Sequence, residues 1–522
     1  MRKMGSLLMT GCMLATMLTM SAVGAHAEGY TSKTGSNAAT TTKPILANTY
    51  YVSPVGNDHN PGTKSSPFRT LMKAQSVASS GDIVYIRGNA GDFELTDADV
   101  AKTDDTYHYV NDFTKSGITY EAYPGDPRPV FDFSGVSTDR RVAAFFIDPS
   151  AQDLTFKGFD VIGTKAGDQK QSENFNIRGN VFIDDVAAHD SEANGFYVNV
   201  HGSGTVINSD AYNNLGPTAA NAGNTDGFGG HGDNVAFIND RSWHNSDDGF
   251  DSINSWGHVI YDHDWSFNNR GNNDGIGDKN GFKVGGYAYE VNTSTKQYIP
   301  DQLPVHSVEY CLSVNNGANG FYANHMPGQS ANWTNNTAYG NSHAQFDMLE
   351  RVSPTDINNI AGYREVLHNN IAYGGTLTAD DNTPAENETN NSWTINGGLT
   401  LTDNDFKSLD TSQLSAPRKS DGSLPDVTFM QPVASSPLSQ YGLGYLADKK
   451  DPTESLQQLV SVYTQYGNID NAGIENSLNK KLQNHDLHAF LNELTAQSGK
   501  HIDKDTTRVL TIEAQAIMNQ ES

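Results

Sequence analysis

Five side chains within residues 224–286 have the types and spacing to do chemistry together: Asp226, Asp247, Asp248, Asp251 and Lys283. They stand around a repeated pair, Gly227-Phe228, Gly249-Phe250 and Gly281-Phe282. Asp226 and Asp248 precede the phenylalanine by two residues, and Asp251 and Lys283 follow it by one. If the pair marks one position of a coiled repeat, equivalent residues on adjacent coils lie about 4.8 Å apart. Four carboxylates so close repel one another unless a cation sits among them. A flexible donor set made only of oxygen, with room for water, favours Ca2+ over Mg2+. A lysine beside that cation, its pKa drawn down, is a candidate Brønsted base. Metal and base together suit removal of the proton α to a carboxylate. On a 4-linked uronate the lysine would take the C5 proton and the glycosidic oxygen would leave, giving a 4,5-unsaturated product. Simpler roles stay open at this level: the aspartates can serve turn hydrogen bonds beside glycines, and Lys283 can serve as an ion-pair partner of Asp251.

The chemistry depends on the repeat that would position it. Aligning on the aromatic gives Asn194-Gly195-Phe196, Asp226-Gly227-Phe228, Asp248-Gly249-Phe250, Asn280-Gly281-Phe282 and Asn319-Gly320-Phe321, with a degenerate Ala344-Gln345-Phe346. The shortest intervals, 22 and 25 residues, suit one coil of a β-solenoid. Residues 198–225 and 268–279 read as inserted loops. Side chains alternate along a strand, so an inward Phe250 or Phe282 sends Asp251 or Lys283 outward. Asn245, Asn316 and Asn341 each fall five residues before the phenylalanine and predict an asparagine ladder between coils. His368-Asn369-Asn370 starts another coil. Short β stretches at Val181–Val186, Val235–Ile238 and Val259–Tyr261, with no helical periodicity from 100 to 400, predict an all-β parallel β-helix.

The flanks read differently. Residues 1–27, with Arg2 and Lys3, an apolar run and Ala25-His26-Ala27, have the form of a secretory signal peptide, and residues 28–47 that of a flexible linker. Thr49-Tyr50-Tyr51-Val52 and Gly81-Asp82-Ile83-Val84-Tyr85-Ile86 bracket a predicted short helix over Leu71–Ala78. This resembles the N-terminal entry of right-handed parallel β-helix enzymes acting on polysaccharides, where a helix caps the open core. From 452 to 522, Leu456, Leu459, Val460 and Tyr463 begin a helical period that predicts a small α-helical domain; it resembles helical modules appended to secreted bacterial surface enzymes, which implies association with a cell surface or carbohydrate. The formal net charge of -27 argues against nucleic acid as a partner. Removal of the leader would leave Cys311 alone, excluding an intrachain disulfide. No later stretch is long and apolar enough to span a membrane. A secreted monomer is expected.

Asn224-Thr225-Asp226-Gly227-Phe228, Ser246-Asp247-Asp248-Gly249-Phe250-Asp251 and Asn280-Gly281-Phe282-Lys283-Val284-Gly285-Gly286 together resemble the motifs of polysaccharide lyase family 9. The resemblance extends to Trp393, Asp405-Phe406, Ala416-Pro417-Arg418 and Asp421-Gly422-Ser423-Leu424-Pro425, spanning about 48–445. It implies a pectate lyase-type enzyme on a right-handed parallel β-helix, cleaving polygalacturonate or a related uronan by β-elimination. Its calcium ligands would be Asp226, Asp247, Asp248 and Asp251, and its base Lys283. Arg270, Lys279, Tyr322 and His325 are candidate substrate contacts. A second reading is a polygalacturonase-like inverting hydrolase using Asp226, Asp247 and Asp248. Against it, Gly230-His231-Gly232 lies between the acidic motifs rather than after them, and no arginine precedes Lys283 by two residues. A third is a non-catalytic solenoid that binds carbohydrate or calcium.

Overall fold

The computed structural model describes residues 47–285, 304–324, 330–351, 358–360, 362, 364–380 and 383–521. Residues 1–46, where a leader and linker are expected, and His325 lie outside the described residues. Among the described residues the chain winds into a parallel β-helix of three long sheets, here A, B and C, with 12, 10 and 11 strands. A representative coil runs Phe250–Asp251 in sheet C, His258–Asp262 in sheet A and Trp265–Phe267 in sheet B. Each strand pairs in parallel with its equivalents one coil before and one coil after. Helix α1, Leu71–Val77, caps the first coils; the Thr70 hydroxyl accepts from the Lys73 N–H at its start, and Leu71 and Ala74 are buried.

The Gly-Phe pair sets the register. Phe196, Phe228, Phe250, Phe282, Phe321 and Phe346 are direct partners across sheet C, and all are buried. Their rings stack at 4.7–5.1 Å between centroids. Each such contact contributes about 0.5–1.5 kcal/mol beyond the burial itself. The glycine has its own steric reason. A Cβ at Gly227, Gly249 or Gly281 would lie 2.1–2.2 Å from the hydroxyl of Ser242, Ser266 or Ser313, closer than any side chain tolerates.

The predicted asparagine ladder lies beside this stack. The Oδ1 of Asn245 accepts from the backbone N–H of Asn214 at 3.2 Å, Asn269 from Asn245 at 2.9 Å, Asn316 from Asn269 at 3.0 Å and Asn341 from Asn316 at 3.0 Å. These side chains are fully buried, so the ladder satisfies backbone groups that the turn leaves unpaired.

One expectation needs correction. Residues 198–225 are not a single inserted loop: Ser203–Ile207 and Asp210–Tyr212 are regular strands of sheets A and B. Only the segment after Tyr212 departs from the coil, and it carries helix α2, Ala219–Ala222. Gly204 and Ser203 weaken the local strand signal, and pairing with both neighbouring coils overrides it. Residues 268–279 do lack strand structure, as expected.

Beyond the last coils, 3-10 turns and extended segments cover sheet B, with Phe429, Leu414 and Tyr445 packing on Trp265, Phe267 and Leu312. Helices α3 (Pro452–Gln465), α4 (Ala472–Gln483), α5 (Leu487–Gln497) and α6 (Lys504–Glu521) follow. They share one apolar cluster with Phe182, Ile207, Ala236, Ile238 and Ile260 on the outer face of sheet A. Among the described residues no helix is long and apolar enough to cross a membrane.

Candidate active site

The acidic residues converge because the turns entering sheet C are tied to the ladder of coils. Asn194 Oδ1 accepts from the Asp226 N–H at 2.7 Å, and Asp248 Oδ1 accepts from the Asn280 N–H at 2.7 Å. The column that is Asn on other coils thus becomes Asp on two neighbours without losing its backbone contact. The Thr225 hydroxyl donates to the Asn221 carbonyl at 2.7 Å, fixing the α2 loop against the turn. Asp247 Oδ1 accepts from the Asp278 N–H at 2.7 Å, which ties loop 268–279 to the same place.

Asp226, Asp247 and Asp248 each present a carboxylate oxygen within 4.8 Å of the others, and all three are buried. Burial and then the mutual repulsion of the aspartates push Asp226 and Asp247 well above the ordinary carboxylate range. Asp248 rises to about 6, chiefly through burial, with Lys283 opposing the shift. Three buried oxygen donors that cannot all carry charge alone fit a hard divalent cation. Asp251 stands slightly apart. It is paired in register with Lys283, and its Oδ1 accepts from the Ile253 N–H at 2.6 Å.

Lys283 joins the cluster from the next coil. Its Nζ lies 3.1 Å from Asp248 Oδ2, 3.4 Å from Asp251 Oδ2 and 3.2 Å from Asp278 Oδ2. Burial favours the neutral amine, but the surrounding carboxylates outweigh it, and the pKa is raised well above the usual lysine value. The lowered pKa expected from the sequence presupposes a cation; the carboxylates by themselves shift it in the opposite direction.

The other candidates are placed less centrally. Tyr322 is the register partner of Lys283 one coil on. Arg270 Nε donates to the Asn315 carbonyl at 2.8 Å, and Lys279 Nζ to the Gly275 carbonyl at 3.0 Å. Both side chains are thus engaged by loop carbonyls, not by the acidic cluster.

Two residues near the site were given no role in it by the sequence: Asp278, which it did not single out, and His231, which it weighed only as part of Gly230-His231-Gly232. Asp278 completes the lysine's carboxylate shell from a loop that carries no repeat. His231 is buried behind Gly229, its Nδ1 2.5 Å from the Ile253 carbonyl and its ring 4.7 Å from that of Tyr197. Burial lowers its pKa, with Asp251 acting the other way. The signal for His231 was its position three residues after Phe228, where the sheet C strand ends.

Comparison with known proteins adds an independent line. A family model described as "Pel9A-like, right handed beta helix region" matches residues 50–370. Pectate lyase L of Dickeya dadantii (strain 3937) is 29% identical over 401 residues, covering 75% of this chain and 85% of its own length. Pectate lyase L of Paenibacillus polymyxa (strain SC2) is 28% identical, covering 75% and 83%. Among solved structures, a rhamnogalacturonan lyase aligns with a TM-score of 0.68 and 34% identity, over 77% of this chain and 100% of that one. Pectate lyase Pel9A aligns with a TM-score of 0.56 and 25% identity, over 75% and 90%.

Proposed function

Because the chain belongs to the Pel9A-like right-handed β-helix family, we propose that this pectate lyase-type enzyme is a calcium-dependent lyase that cleaves 4-linked polygalacturonate by β-elimination. The observation that carries the reading is Lys283 set among Asp248, Asp251 and Asp278 within 3.4 Å, beside a buried carboxylate triad. Asp226, Asp247 and Asp248 would hold Ca2+, with Asp251 at its edge. Bound there, the ion would supply positive charge to hold the uronate carboxylate and to stabilise the charge that develops on it.

The protein's own groups do the rest. Asp248 and Asp251 aim the Lys283 amine, and Asp278 restrains it from the solvent side. A cation held by the aspartates would offset the carboxylates that keep Lys283 protonated, and would so make its free amine available as a base. Lys283 takes the C5 proton, the C4–O bond breaks, and the electron pair of the C5–H bond forms the 4,5-double bond. The polymer is met outside the cell if the leader directs export.

Inverting hydrolysis fits the geometry less well. It needs two carboxyl groups roughly 6.5–9.5 Å apart, to leave room for water. Asp226, Asp247 and Asp248 offer oxygens within 4.8 Å of one another. A second substrate, rhamnogalacturonan, is favoured by the 34% identity to a rhamnogalacturonan lyase.

The test is product chemistry. Incubation with polygalacturonate should release an ultraviolet-absorbing unsaturated uronide, stop in chelator and resume with calcium. Saturated reducing ends alone would replace elimination with hydrolysis. Unsaturated product from rhamnogalacturonan but not polygalacturonate would transfer the substrate assignment.

A further inference from the structure

The same face of the β-helix carries a second recognition element well away from Lys283. Sheet C presents one column outward on successive coils: Tyr197, Gly229, Asp251, Lys283 and Tyr322 are register partners in turn. Tyr197 therefore lies three strand spacings from Lys283, roughly 14 Å along the axis. Around Tyr197 opens a cleft of about 390 Å³ whose walls include Tyr107, Tyr109, Arg141, Arg178 and Asn199. Between this cleft and the carboxylate cluster, His231 packs against Tyr197 and fills the space beside Gly229.

The charge in this cleft is unusual for so acidic a chain. Arg87, Arg128, Arg241, Arg418 and Arg508 all form ion pairs with aspartates. Among the described residues, neither Arg141 nor Arg178 has a carboxylate within 4.0 Å. Arg141 Nη1 donates to the Tyr107 hydroxyl at 3.3 Å, and its guanidinium lies over the Tyr107 ring. Arg178 Nε is buried with no hydrogen-bond partner. Glu173 faces both guanidiniums electrostatically, but its oxygens accept from the Tyr107 hydroxyl and the Asn176 amide rather than from either arginine. Glu173 lies buried beneath, accepting from the Tyr107 hydroxyl at 3.0 Å, and Asp104 accepts from the Tyr109 hydroxyl at 2.8 Å. An unpaired guanidinium is a preorganised fork for a planar carboxylate, and tyrosine rings offer apolar faces with a polar tip. Uronate sugars present both chemistries, and one pyranose unit is about as long as one strand spacing.

We propose that Arg141 and Arg178, walled by Tyr107, Tyr109 and Tyr197, form a distal subsite that binds the carboxylate of a uronate about four to five sugars from the bond cleaved, because Arg178 follows the strand four spacings from Lys283 and Arg141 opens the strand five spacings away. This rests on the reading of the chain as an enzyme acting on a polyuronate. The subsite lets a protein of strong negative charge hold a polyanion, because attraction is confined to a short-range contact.

The experiment measures binding in the Lys283→Ala protein, which keeps the oligomer intact. Calorimetry with hexagalacturonic acid in calcium buffer should show Kd rising about tenfold when Arg178→Gln is added, and further with Arg141→Gln. Trigalacturonic acid, too short to span both sites, should lose the distinction between the proteins. If Arg141→Gln lowers the melting temperature through its packing on Tyr107, Arg178→Gln carries the test alone. A hexamer Kd unchanged in Arg178→Gln, or no hexamer binding in either protein, overturns the subsite. Arginine-dependent binding together with an unaltered enzyme that yields no unsaturated product would sustain the subsite and overturn the lyase reading instead.

Discussion

Lys283 is held by three carboxylates, Asp248 and Asp251 from one coil and Asp278 from loop 268–279, and its contribution should separate cleanly from that of the fold. Replacing it with alanine removes a charge that offsets Asp248 and Asp251, while the backbone pairing of Phe282 with Phe250 and Phe321 is untouched. The expected result is a loss of roughly 10²–10⁴ in turnover, with calorimetric calcium binding and the far-ultraviolet circular dichroism spectrum retained. A variant within threefold of the unaltered rate would remove Lys283 as the base. At this scale the sequence was informative wherever a residue keeps a fixed offset from Gly-Phe, as Asp226, Asp248, Asp251 and Lys283 do. Asp278 was not legible, because its position depends on the path of loop 268–279, which no periodicity constrains. Arg141 and Arg178 were hidden for a related reason: their coils lack the Gly-Phe pair, and their partnership arises only when sheet C is assembled.

The ladders show how an element tolerates charge. Where sheet A turns into sheet B, Asn336, Asn370 and Asn391 occupy one buried column, each donating Nδ2–H to a carbonyl of the preceding coil. Asp240 and Asp264 fill that column three and two coils before Asn336, Asp240 Oδ1 accepting from the Ser209 N–H and Asp264 Oδ1 from the Asp240 N–H. The Oδ2 atoms of both are buried without a partner. Burial drives both pKa values well above the ordinary carboxylate value, and a protonated Oδ2 would offer a donor where the other coils carry an asparagine amide. The sign of the pH effect follows. A carboxyl whose pKa is raised by folding contributes stability that is fully present below the unfolded value, near 3.8, and is lost as pH rises through the folded value. Asp264→Asn should therefore raise the melting temperature at pH 8, by an amount equivalent to about 1–3 kcal/mol, and change it little at pH 4. Equal shifts at the two pH values would show that the carboxyl is not carrying the proton. The asparagine ladder before Gly-Phe was legible from a constant five-residue offset. This second column was not, because two of its members are Asp and one coil places Cys311 there, its N–H donating to Asn336.

For the whole molecule, the C-terminal helices matter through what they cover. Leu456, Leu459 and Leu510 belong to the same cluster as Ile207, Ile238 and Ile260 of sheet A, and Glu513 accepts from the Asn239 side chain at 2.7 Å. Truncation after Asp451 should expose that apolar face. The shortened protein is expected to melt at a lower temperature and to self-associate in sedimentation, while an unchanged melting temperature would make the helices an independent appendage. Their helical period was plain in the sequence; their docking surface was not, since outward apolar residues of sheet A are indistinguishable from core residues in a strand that is buried on both faces. The asparagine ladder carries one more consequence at this scale. It propagates in one direction, each amide oxygen serving the coil before it, until Asn341, whose own N–H donates to Gln345 Oε1 at 3.2 Å while Asn341 Nδ2 donates to the same oxygen at 2.9 Å. Gln345 sits only four residues on and folds back into the place that the next coil's asparagine would take. It behaves as a chain terminator in a polymerisation: the column can be lengthened by copying an internal coil, never by adding one after it. A copy placed between Asn245 and Asn269 would satisfy every hydrogen bond of the column, yet it would move Lys283 about 4.8 Å further from Asp248. The architecture is indifferent to such a duplication, and the chemistry is not.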